Sequence, residues 1–327
     1  MKIGLFIALF GDRPLEEALD IAQAEGVQAV EIGAGAYPGS PHLNVDKLLE
    51  SKTARDRLLK EISKRNLMLS ALSCHGNPLH PKKEIAEAHH QAFRKAVQLA
   101  SALGVPVVNG FSGCPGDGPQ AVNPNWVTCA WPDEYREILN WQWKRVVIPY
   151  WTEQAKFLAR HRVKFAIEMH PGFVCYSNET LLKLRTSTGK FGKWIGANFD
   201  PSHLWWQGVD PILAARELGS QGALFHCHAK DTFIDPTNSL RNGNLDTKSY
   251  AKVAERSWTF RSVGYGHDVK WWRDFVSALR TVGYDYVLSI EHEDPLMSPQ
   301  EGLRKALETL RLAVIQEPAG QMFWAKK

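Results

Sequence analysis

Four short motifs place metal-ligating side chains where an apolar run stops. Ile-Glu-Met-His at 167–170 carries Glu168 and His170, and Asn-Phe-Asp-Pro-Ser-His at 198–203 carries Asp200 and His203. Phe-His-Cys-His-Ala-Lys-Asp at 225–231 carries His226, His228 and Asp231, and Ser-Ile-Glu-His-Glu-Asp at 289–294 carries Glu291. Alternate residues of a strand share a face. Glu168 and His170 therefore point one way, and so do His226 and His228. Carboxylates gathered from several strands repel one another and resist ionising together; a divalent cation removes that cost. A mostly oxygen donor set with one histidine suits Mn²⁺, Mg²⁺ or Co²⁺ better than a thiolate-loving metal, and Zn²⁺ is compatible with it. A lone strand-end Glu is most often a loop salt bridge, and a lone His a satisfied core residue. Four such strand ends in succession point instead to a shared site.

The elements that must position them alternate. Strand-like runs fall at Lys2–Ala8, Ala29–Gly33, Met68–Ser73, Pro106–Phe111, Lys164–His170, Ile195–Asp200, Ala223–His228 and Tyr286–Glu291. Helical spacing appears at Leu15–Glu25, at Glu84–Leu103 ahead of Gly104, and over Asp133–Arg162 with a break expected at Pro149. It returns at Asp210–Leu218, Trp271–Val282 and Gln300–Ile315. Strands apolar on both faces, alternating with helices, imply parallel pairing with right-handed crossovers. Eight such units close into a (β/α)8 TIM barrel, expected as a single domain over 1–327. The rival open sheet lacks a G-x-G-x-x-G after its first strand. Two long loops, after strands four and seven, lie on the face where such barrels keep their sites.

Composition excludes other classes. The net charge of +4 comes from interspersed signs, with no basic stripe, so nucleic acid is not an expected partner. No run of 18 apolar residues suggests a membrane span. The opening MKIGLFIALFGDRP reads as a barrel strand rather than a secretory leader. Five scattered cysteines without a C-x-x-C pair suit reduced thiols in a cytoplasm. Twelve tryptophans are many for this length and read as packing or as aromatic walls for a sugar or aryl ligand.

With these motifs in hand, and with Val-Gly-Tyr-Gly-His-Asp at 263–268, the chain resembles the xylose isomerase-like superfamily of sugar phosphate isomerases and epimerases over nearly its whole length. The resemblance implies one divalent metal, Mn²⁺ foremost, on Glu168, Asp200, His228 and Glu291. His228 is preferred to His226 because the family histidine precedes x-x-D. The resemblance further implies that Glu168 and Glu291 are the catalytic acid and base, and that His203 binds substrate. His170, His75, Arg261, His267, Trp126 and Trp131 are expected on the substrate side, Asn77 at the pocket rim, and Glu31 as structural. The implied reaction is proton abstraction next to a keto-sugar carbonyl through a metal-stabilised enediolate. The alternative is the large subunit of a C-glycoside deglycosylating lyase, acting on 3-oxo-glycosides with a small partner subunit. A homo-oligomer or such a hetero-oligomer is compatible with either. Abasic-site DNA cleavage would need more histidines and a basic groove. A non-catalytic sugar-binding protein would show no solvent exchange of substrate protons. With no Lys/Arg cluster, the expected sugar or glycoside is not phosphorylated.

Overall fold

The computed structural model describes residues 1–318 together with 320, 322 and 324. In chain order the strands are β1 (Lys2–Phe6), β2 (Ala29–Gly33), β3 (Met68–Ser73), β4 (Val107–Gly110), β5 (Lys164–Glu168), β6 (Ile195–Phe199), β7 (Leu224–Ala229), β8 (Asp231–Ile234), β9 (Trp258–Arg261) and β10 (Val287–Ile290). Eight of them close a barrel in the order β1-β10-β7-β6-β5-β4-β3-β2, while β8 and β9 form a separate two-stranded sheet. Every barrel pairing is parallel, including β1 with β10, which shuts the ring.

The pleat sorts each strand between two environments. Val108, Ile167, Phe199 and Ile290 face outward into the main core, between strands and helices. Inside the barrel, where bulky aliphatics usually fill the space, the chain places Glu31, Ser73, Asn109, Asn198, His226 and Ser289 instead, all buried. Such a layer is tolerated because its members bond to one another: Asn109 and Ser289 donate to Glu31 at 2.8 and 2.7 Å, and His226 meets Asn198 at 2.9 Å.

The helices follow from the same logic. Lys83–Leu103 stops where Gly104 adopts a left-handed φ of 72°, a conformation that costs glycine nothing. The expected break near Pro149 takes the form of a π-helical turn, Gln142–Val147, between the helices Asp133–Trp141 and Ile148–His161. Pro149 lies just past this turn and, having no N–H, cannot continue the backbone ladder from the preceding helical residues. Trp151, fully buried, stacks on Phe165 at 5.0 Å and donates to the Ser112 carbonyl at 2.9 Å. The helix Asn178–Ser187 and the β8–β9 hairpin were absent from the sequence expectation; the long loop after β7 contains regular structure.

Among the described residues no helix is long and apolar enough to cross a membrane.

Candidate metal centre

The carboxyl ends of β5, β6, β7 and β10 are consecutive around the ring. Their last inward positions are Glu168, Asp200, His228 and Glu291. One ligand atom from each lies within 4.8 Å of the other three. The two glutamates come from the outer strands of this arc, Asp200 and His228 from the two between. His228 Nδ1 is 3.3 Å from Glu168 and 3.2 Å from Glu291. His226 lies one pleat deeper and turns to Asn198 and Asn109.

Burial should raise both glutamates, but neighbours outweigh it. Beside Glu168 the rings of His75, His203 and His228 hold the carboxyl well below its usual range. Against the same burial, Lys230 and His228 bring Glu291 down to about 2. Burial would lower His228, yet Glu31 and Glu291 hold it well above an ordinary histidine. His170 goes the other way: burial, then the neighbouring His203, depress it to about 3. Asp200 Oδ2 is buried without a well-directed hydrogen bond and meets only the charges of its neighbours, Lys230 Nζ at 3.0 Å and His203 Nε2 at 3.3 Å. Three carboxylates and one imidazole fit a hard divalent cation.

Lys230 is the residue the sequence reading missed. Its Nζ lies 2.6 Å from Glu291, 3.0 Å from Asp200 and 3.0 Å from Glu293, and the side chain is 2% exposed. Those carboxylates overcome burial and keep the ammonium charged. The available signal was parity: a lysine two residues past His228 shares its face.

A cavity of about 390 Å³ opens above the cluster, lined by Glu168, Glu291, Lys230, His75, His170 and Glu293 on its polar side and by Phe6, Tyr37 and Phe111 on its apolar side. His75 bonds Glu168 at 3.0 Å. His203 sits behind the carboxylates rather than in the lining, 3.0 Å from Glu168 and 3.3 Å from Asp200, with His170 packed 4.2 Å from its ring.

Four residues expected on the substrate side lie outside the cavity lining. Arg261 is held by Asp294 at 2.9 Å. His267 bonds Asp231 at 2.8 Å and stacks on Trp205 at 3.9 Å. Trp126 packs with Trp206, Trp258 and Phe260, and Trp131 is 76% exposed. Their loop is tied down rather than folded over the pocket: Gln142 donates to the Gly116 and Asn125 carbonyls at 3.0 and 2.7 Å. Asn77 is also taken up by this loop, bonding the Cys114 backbone at 2.9 Å on both sides.

The fold and this arc of ligands define a class, and comparison with known proteins agrees. The family described as xylose isomerase-like TIM barrel matches residues 19–313, and the chain belongs to it. A protein of Bacillus subtilis (strain 168), named "Uncharacterized protein YfiH", is 40% identical over 319 residues, covering 97% of this chain and 100% of its own. Among solved structures, the IOLI protein with a binding zinc atom superposes with a TM-score of 0.63 at 18% identity, over 96% of this chain and 98% of its own. A D-tagatose 3-epimerase-like protein gives 0.62 at 18% identity, over 96% and 98%. At these identities the likeness to the solved structures is one of fold.

Proposed function

We propose that this chain is a divalent-metal-dependent isomerase or epimerase of a keto-sugar, working by proton transfer next to the carbonyl. The observation that carries this reading is the convergence of Glu168, Asp200, His228 and Glu291, two of which also line the cavity. A divalent cation held by these four, Mn²⁺ by preference for the donor set, would polarise a carbonyl and acidify the adjacent C–H. Zinc in the similarly folded IOLI protein supports a metal at such a barrel mouth.

The chain's own residues supply the rest. Glu168 and Glu291 are ionised at neutral pH and stand at the two ends of the arc. One carboxylate takes the proton from one face of the sugar and becomes the acid, while the other, first loaded with a proton from solvent, delivers it from the opposite face and returns to the carboxylate, which inverts the stereocentre. Return to the neighbouring carbon isomerises instead. His75 and His203 hold Glu168 in place from two sides. Lys230 lines the cavity beside Glu291, and a sugar oxygen can replace one of its carboxylate partners, Glu293 being the most exposed of them. Phe6, Tyr37 and Phe111 offer apolar faces to sugar C–H groups.

The substrate is a neutral sugar or small glycoside. Among the described residues Lys230 is the only lysine or arginine in the cavity lining, and it is already surrounded by carboxylates. A phosphate there would meet Glu168, Glu291 and Glu293. The five cysteines, all free, suit a reducing, cytoplasmic setting.

Screening ketoses and 3-oxo-glycosides with Mn²⁺, with products followed by NMR, tests the reading. Epimerised or isomerised ketose from the chain alone is the expected result. Turnover only of 3-oxo-glycosides, and only with a small partner subunit, would establish the deglycosylating lyase instead.

A further inference from the structure

Glu31 sits in the middle of β2, across the barrel from the four ligands, and it is completely buried. Its carboxylate receives Ser73, Asn109 at 2.8 Å and Ser289 at 2.7 Å. Both of its oxygens lie 3.1 Å from Nε2 of His228. The opposite nitrogen of that ring, Nδ1, is the one that faces Glu168 and Glu291. A carboxylate surrounded by donors has only lone pairs to offer, so the ring must present a proton to it at Nε2.

We infer that Glu31 is a positioning residue of the metal centre: it fixes His228 in the tautomer protonated at Nε2, leaving the Nδ1 lone pair aimed at the cation. A carboxylate behind a ligating imidazole orients the ring and raises its basicity. Here the device spans the barrel interior, from β2 to β7, and accounts for an ionised glutamate in a core that ordinarily holds aliphatic residues. The cluster Glu31, His226 and His228 could be taken for a second cation site. The bonding argues otherwise, because Glu31 is saturated by four donors and His228 Nε2 is one of them. His226 Nε2, at 3.9 Å from Glu31, is too far to share in that bond.

The inference rests on the metal site proposed above and not on the reaction, so it is tested by binding. Metal-stripped full-length protein and its Glu31→Gln variant are titrated with Mn²⁺ by calorimetry, with thermal melts run in chelator. Gln keeps the volume and removes the charge. The expected result is one cation per chain in the native protein and about 10–100-fold weaker binding in the variant, the usual consequence of losing such a partner. Affinity within twofold of the native value in a cooperatively melting variant overturns the inference, as do two cations per chain. Should Glu31→Gln not fold, ¹⁵N NMR of the Zn²⁺-loaded native protein decides. His228 bound through Nδ1 with a proton on Nε2 supports the assignment, and binding through Nε2 contradicts it. Uptake of Mn²⁺ in this pattern without turnover of any sugar would retire the proposed reaction and leave the role of Glu31 standing. No metal uptake by the native protein would end both.

Discussion

Replacing Lys230 with Met removes the one ammonium that the metal-free cluster holds. Its Nζ sits 2.6–3.0 Å from Glu291, Asp200 and Glu293, and it is almost entirely buried. Met matches the stem in length and takes the lysine counter-charge from Asp200 and Glu291, leaving Glu291 to His228. Stripping one partner from a buried ionic cluster costs about 3–5 kcal/mol. At about 2 °C per kcal/mol for a chain of this size, the melting temperature in chelator falls by about 6–10 °C. Asp200 Oδ2 and Glu291 Oε2, which contact the lysine, belong to the carboxylates expected to hold the cation. Mn²⁺ therefore replaces the lost charge in the variant, whereas in the native protein it must share those oxygens with the lysine. Metal at a hundred times its dissociation constant stabilises the fold by about 2.7 kcal/mol. The native protein gains as well, so in excess Mn²⁺ the gap narrows only by the difference in binding free energy, about 1.4 kcal/mol for each tenfold by which the variant binds more tightly. Differential scanning fluorimetry with chelator and with excess Mn²⁺ reads both numbers. An equal deficit in the two conditions would refute the idea that lysine and metal answer the same carboxylates.

Acid tests the buried imidazoles. Burial depresses His170 to about 3 and His226 to about 4, so both stay neutral in the fold while the unfolded chain protonates them near pH 6.5. The stability they allow is full above pH 6.5 and is lost as pH falls toward their folded values, at up to about 1.4 kcal/mol per pH unit for each. His170→Asn should flatten that decline in the metal-free protein between pH 6.5 and 4.5; an unchanged slope contradicts it. Trp126→Ala opens a partly buried aromatic cluster and should cost about 2–3 kcal/mol, with kcat/KM preserved in the folded fraction. Trp131→Ala, on the exposed surface, should alter stability by no more than about 0.5 kcal/mol. Thermal melts beside steady-state kinetics separate these outcomes from a substrate-wall role. Glu291→Gln should retain Mn²⁺ binding and lose turnover by at least about a hundredfold, since an amide oxygen can ligate but cannot carry a proton. Full activity in that variant removes Glu291 as acid or base.

The barrel was legible because its strands are buried on both faces: each reads as a short apolar run, and the catalytic face announces itself where a charged residue interrupts the run. Pleat parity put His226 and His228 on one face, and the family resemblance chose His228. Parity applied once more would have found Lys230. The helix Asn178–Ser187 carried its own signal, a capping box between Ser177 and Thr180, inside a stretch to which the sequence reading assigned no element. The β8–β9 hairpin had no local signature. Asp231 pairs with Arg261 across an excursion far longer than a hairpin turn, so only the folded chain reveals it. The same holds for Trp126 and His267, whose partners Trp258 and Asp231 are remote in sequence. A tryptophan on the catalytic face and a histidine in a glycine-rich loop look alike whether they face a sugar or their own protein. Glu31 was read as structural because its link to His228 crosses the barrel interior, a contact that strand order creates and sequence spacing does not.

The central claim is that Glu168, Asp200, His228 and Glu291 share one divalent cation. Anomalous diffraction from crystals soaked in Mn²⁺ tests it directly. The account predicts a single strong peak at the mouth of the barrel, within roughly 2.0–2.4 Å of one atom from each of the four side chains, with His228 contributing Nδ1. A peak bound instead by Glu31 and His226, or no peak at saturating metal, would contradict it.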